Sequence, residues 1–263
     1  MNYPAQLPWT DTVHDLTHFR LSDMIVVGRE LRALGHNATS MEEVARRVVN
    51  LFYDRFRVHE TNQTCCTLVR CFKTHRFDLM PPDLQNLAKT KLNGAPISHE
   101  LRCLTLLASR GDQPDWNDRH KSTAHQAIPL PTPDIVEQTP MIARLIRQMG
   151  MSVAQIVQPE HDLLVDLEQQ SFNVFHVEDA AGSKYVPAQS TFVERYGVKS
   201  ALGFGGMLPS GELFSIVMFS KVRITRETAQ LFRTLALGVK LALLPFAGKQ
   251  VFEIDQVAVK RNG

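Results

Sequence analysis

Four cysteines in 263 residues are too few for a disulfide scaffold, so a reducing compartment, the cytoplasm, is the default expectation. An excess of one charge is missing as well: the formal net charge is +2. Neither Arg46-Arg47, inside a helical pattern, nor Lys260-Arg261, in the tail, supplies the basic surface that nucleic acid would need. No stretch reaches the roughly 18 consecutive apolar residues of a membrane span. The N-terminus, with Asp11 and Asp15 among its early residues, lacks the pattern of a signal peptide. Neither nucleic acid nor a membrane is therefore expected as a partner.

Catalytic signatures are also missing. No G-x-S-x-G elbow and no Walker A pattern occurs. Gly203-Phe204-Gly205-Gly206-Met207-Leu208 approaches G-x-G-x-x-G but ends in Leu208 and feeds a hairpin instead of a helix. Its glycines suit close strand packing or, alternatively, a backbone that faces a ligand. His176-Val177-Glu178 matches the H-x-E of zinc deaminases, yet no P-C-x-x-C follows it. Cys65, Cys66, Cys71 and Cys103, with His75, invite a metal reading because thiolate and imidazole suit zinc or iron. Their spacing argues against it: on a strand Cys65 and Cys71 point to one face and Cys66 to the other. Buried small hydrophobes are the favoured reading. A redox-sensing thiol would need a depressed pKa and exposure.

What the chain has is apolar residues, 44% of the total, enough for one sizeable core. Residues 1–20 carry no period and read as an arm. A helix is expected over residues 22–34, stopped by Gly35. Ser40-Met41-Glu42-Glu43 fits a capping box and opens a second helix that presents Val44, Val48, Leu51 and Phe52. Strands are expected over 65–73, 101–109, 127–130 and 173–177, the third at an edge because of Pro129. Shorter helices fit residues 82–91, 140–149 and 187–196. Residues 111–125 form the one long polar segment without a period, and such loops are functional or disordered more often than not.

The stretch 198–246 is the most legible. Two apolar runs, 198–208 and 212–221, flank Pro209-Ser210-Gly211, as in a hairpin. Thr225 then caps a helix over 226–244 that Pro245 stops. Phe232, Leu235, Val239, Ala242 and Phe246 make one seam of that helix, while Leu237, Leu241 and Leu244 make a second. The first seam suits the sheet. The second suits another helix or the same seam of a twin chain, so these three leucines are the expected dimer interface.

These residues carry a resemblance. Phe192-Val193, Tyr196-Gly197-Val198-Lys199-Ser200, Gly211-Glu212-Leu213, Ile216-Val217-Met218-Phe219-Ser220, Thr225 and Leu231-Phe232 through Leu235-Ala236 resemble the C-terminal half of a GAF domain. The likeness is closest to the GAF-like sensor regions that precede histidine kinases and other output modules in bacterial signalling proteins, including two-component systems. It extends upstream through residues 40–43, Leu68-Val69-Arg70, residues 104–108, Trp116-Asn117, residues 128–130 and residues 173–177.

The resemblance implies an α+β fold of the GAF/PAS type, with a central antiparallel sheet of about five or six strands flanked by helices. It divides the chain into an N-terminal arm and helix (1–39), the sensor domain (40–247) and a tail or linker (248–263). It implies a cytoplasmic homodimer that binds a small molecule and biases a kinase or other output module. The family's pocket lies over one sheet face, beneath connecting loops and short helices. Carried over, it would be lined by Trp116, His120, His125, Phe175, His176, Tyr185 and Phe204. Three alternatives stay open: His120, His125 and His176 could ligate haem iron, serve as acid–base groups of an enzyme, or be satisfied within the fold. Apolar side chains could also fill the space.

Overall fold

A computed structural model describes residues 12–253 except 93, 95, 99, 123 and 159–172. Alternation along the strands decides the architecture, because each strand carries apolar residues on both faces and so has to be covered on both. The strands are β1 (Cys66–Arg76), β2 (Arg102–Gly111), β3 (Ala127–Leu130), β4 (Phe175–Val177), β5 (Ser200–Met207) and β6 (Leu213–Ser220). They form a six-stranded sheet in the order β3-β2-β1-β6-β5-β4, every neighbouring pair antiparallel. The fold is α+β, as expected, and β3 with its Pro129 takes an edge.

One face is covered by α1 (Leu21–Ala33), α2 (Met41–Asp54) and the long helix α7 (Arg226–Leu243), the last preceded in the chain by the elements below. Val69, Cys71, Leu202, Phe204, Ile216 and Met218 point into this layer. The helix pattern is realised: Val44, Val48 and Phe52 of α2 are fully buried. Ser40 Oγ accepts from Glu43 N at 3.0 Å, but the return half of the expected box is replaced. The Glu43 carboxylate takes the N–H and hydroxyl of Thr39 and the Arg47 guanidinium. The seam Phe232, Leu235, Val239 and Ala242 of α7 lies on the core, and Thr225 Oγ1 accepts from Thr228 N at 3.2 Å. Leu237, Leu241 and Leu244 stay 55%, 42% and 37% exposed, and among the described residues nothing covers them. Arg226–Phe246 is apolar and long enough to cross a membrane by length and composition alone, but it packs here on β5 and α1.

Helix α1 lies on α7 at close range. A Cβ at Gly35, the expected helix stop, would stand 2.7 Å from Ala242 O, so the absence of a side chain lets the chain leave α1 against α7. Residues 12–20, part of the segment expected as a flexible or docking arm, are partly embedded: Leu16 and Phe19 are buried in the helix-side core and His14 N bonds Arg55 O. Residues 1–11 and 254–263 lie outside the described residues, but the start of the expected tail is docked. Met41 N and Glu42 N donate to Gln250 O and Val251 O.

The opposite face carries α4 (Pro133–Glu137), α5 (Pro140–Gln148), α6 (Val153–Val157) and a π-helical turn (Gln189–Glu194). The last lies within the short helix expected at 187–196 and is of π type. A third small core joins α3 (Pro82–Lys91) to Phe77, Leu101 and Ala127 beside β3. In the hairpin β5–β6 a Cβ on Gly205 would fall 2.0 Å from Phe214 O, so that glycine serves close strand packing. All four cysteines are free and buried, and burial pushes the thiols of Cys65 to about 11 and of Cys71 and Cys103 to about 12. They behave as small core hydrophobes.

Candidate functional site

Between the second sheet face and its short helices lies a cavity of about 490 Å³. That is the size of sites that enclose small organic molecules. Its floor is made by alternate residues of three strands: Leu68, Arg70 and Phe72 of β1, Leu104 of β2, and Ser215, Val217 and Phe219 of β6. Its roof comes from Met141, Ile142 and Leu145 of α5 and from the π-helical turn with Pro187, Ala188, Thr191 and Phe192. One wall is aromatic. The Trp116 ring stands 4.8 Å from that of Tyr196 and 5.7 Å from that of Phe192, and Phe192 meets Phe219 edge-on at 5.0 Å.

The remaining end is cationic. Arg70, Lys91 and His125 line it, and among the described residues no carboxylate does. Burial alone pulls the Arg70 guanidinium down to about 10. Lys91 is lowered by burial too, while its ammonium donates to Ala124 O and Ala127 O, both at 2.7 Å. His125 is pushed down to about 4, by burial first and then by the charges of Arg70 and Lys91. The residue keeps exposed surface at the cavity mouth, and burial of its ring and the two neighbouring cations act in the same downward direction. At neutral pH its imidazole is uncharged.

Of the seven residues expected to line a pocket, Trp116 and His125 do so. His120 sits exposed on a short 3-10 turn (Arg119–Lys121), its N–H held by Asp118 Oδ1 at 2.9 Å. Phe175 belongs to the cavity-side core but packs against Gly203 away from the opening. Its neighbour His176 therefore points to the other face of the sheet, where its Nε2 lies 2.8 Å from Ile224 O. Phe204 is also on that face, among Phe52 and Phe232, each with ring centroids 5.4 Å away. Tyr185 is stacked under Arg144 at 3.6 Å, outside the lining. Period-two geometry accounts for His176 and Phe204: the sequence shows which residues share a strand face but not which face the long helices take. Arg70 and Lys91 were not anticipated. The available signal was Arg70 itself, a cation in the otherwise apolar run Leu68-Val69-Arg70-Cys71-Phe72.

The polar loop is largely satisfied within the fold. Arg119 forms a buried pair with Glu42, Nε to Oε1 at 2.5 Å and Nη2 to Oε2 at 3.2 Å, and Gly111 N donates to Asn117 Oδ1. Among the described residues no group of three His, Cys, Asp or Glu side chains could hold a metal ion. His125 is the single one of the three candidate histidines placed to meet a ligand in the cavity, so an axial haem ligand or a general base would have to be that residue. Compared with known proteins, the chain matches no family model and no curated protein.

Proposed function

We propose that this chain is a GAF-like sensor module of the bacterial signalling type: a cytoplasmic homodimer that binds a small molecule and passes its ligand state to a kinase or other output module through its terminal helices. The observation that carries the reading is the half-open cavity of about 490 Å³ over one sheet face, beneath short helices and loops. That is where the resemblance expects a pocket. The strands of its floor, β1 and β6, carry on their reverse face the core on which the long helices rest. A ligand that favours one packing of the floor thereby favours one arrangement of those helices, and differential affinity for the two arrangements is all that signalling requires. The exposed seam of Leu237, Leu241 and Leu244 supports the dimer, since a twin seam would cover it.

The test is mass spectrometry of the small molecules released when the purified protein is denatured, run beside Val217→Phe. Val217 forms part of the cavity floor, so the larger ring takes up part of the cavity volume. A stoichiometric compound retained by the wild type and lost from the variant is the expected result. Equal retention by both proteins would overturn the assignment of this cavity as the binding site.

A further inference from the structure

Arg70 is a buried cation without a counter-ion among the described residues. It is 9% exposed, it points into the cavity, and its one side-chain partner is a neutral hydroxyl, Ser122 Oγ at 3.1 Å from Nη2. Its Nε is buried and unbonded. Buried guanidinium groups are ordinarily paired with an anion, because an isolated charge in an apolar surround is among the most unfavourable arrangements in a folded protein. Lys91 stands at the same end with two of its three N–H groups committed to carbonyl oxygens, and His125 completes the group. The rest of the lining is mostly aromatic and aliphatic, with the hydroxyl residues Thr139, Thr191 and Ser215 among it.

Resting on the ligand-binding reading above, we propose that the cavity receives a small carboxylic acid, its carboxylate seated on Arg70 with Lys91 beside it and its apolar body against Trp116, Phe192 and Phe219. The planar guanidinium presents parallel donors that match two carboxylate oxygens. One guanidinium and one partly committed ammonium suit a single negative charge better than the two of a phosphate group. The uncharged imidazole of His125 closes this end as a neutral donor or acceptor.

The experiment is isothermal titration calorimetry of the full chain with 4-phenylbutyrate and with the matching neutral amide, 4-phenylbutyramide. The acid should bind about ten- to a hundredfold more tightly than the amide, the size of one charge-assisted hydrogen-bond pair in a buried site. Arg70→Met should bring acid and amide to equal affinity, with Arg70→Lys between. Equal binding of the two compounds to the wild type overturns the carboxylate proposal and leaves the binding reading standing. That comparison needs no variant. Binding of neither compound at millimolar concentration overturns the binding reading, and the carboxylate proposal with it.

Discussion

Arg70→Met should stabilise the ligand-free protein, although it removes a side chain from the middle of the central sheet. Burial pulls the guanidinium from 12.5 to about 10 with no carboxylate offsetting it. A group whose proton affinity is lower in the folded state penalises folding while it is protonated. The penalty is complete below about pH 10 and fades only as pH rises from there toward 12.5. At about 1.4 kcal/mol per tenfold, the gap corresponds to roughly 3 kcal/mol at neutral pH. Methionine keeps the aliphatic stem, and loss of the bond to Ser122 returns about 1 kcal/mol. The net gain is on the order of 2 kcal/mol, or roughly 4–8 °C in Tm for a chain of this size. The assay is thermal unfolding followed by circular dichroism at pH 7.5, on protein stripped with charcoal and dialysed. A variant that melts below the wild type would refute the reasoning, because it would mean that the charge is already compensated within the fold.

Three further outcomes follow from the geometry. The double change Leu237→Glu and Leu241→Glu, on residues 55% and 42% exposed, should leave the circular dichroism spectrum intact and convert a dimer to a monomer in light scattering at about 20 µM; a monomeric wild type would sink the dimer. Gly205→Ala sets a methyl group 2.0 Å from Phe214 O and should cost more than about 4 kcal/mol in urea unfolding, whereas a loss under about 1 kcal/mol would show that the hairpin relaxes freely. Lys73, buried and lowered to about 8, penalises folding while protonated, so wild-type stability should rise by roughly 3 kcal/mol relative to Lys73→Met between pH 8 and 10.5. A flat difference across that window would mean that Glu212, at 3.5 Å, already neutralises the charge.

The legible features are those set by local geometry. The hairpin around Pro209-Ser210-Gly211, the edge position of Pro129, and the split of α7 into a buried and an exposed seam all follow from residue types at fixed spacing. The site was only partly legible. Trp116 and His125 were found, but His176 and Phe204 went to the opposite face, because which parity of a strand meets the long helices is settled by long-range packing. Glu43 bonds the N–H and hydroxyl of Thr39 and not the N–H of Ser40, a choice the residue types at this spacing do not specify. Arg70 shows the opposite case. Its meaning depends on which side chains are absent around it, and a linear sequence does not display an absence in space.

The buried pair between Arg119 and Glu42 has a mechanical consequence. Glu42 lies in the first turn of α2, and its carboxylate also accepts the N–H of Glu253, while the Arg119 guanidinium lies over the Phe252 ring at 5.4 Å. Arg119 follows Trp116 closely in the loop that walls the cavity. One carboxylate therefore clasps the wall of the chamber to the last described stretch of the polypeptide. The loop that carries Trp116 and residues 252–253 thus share the Arg119–Glu42 pair as a common point of attachment.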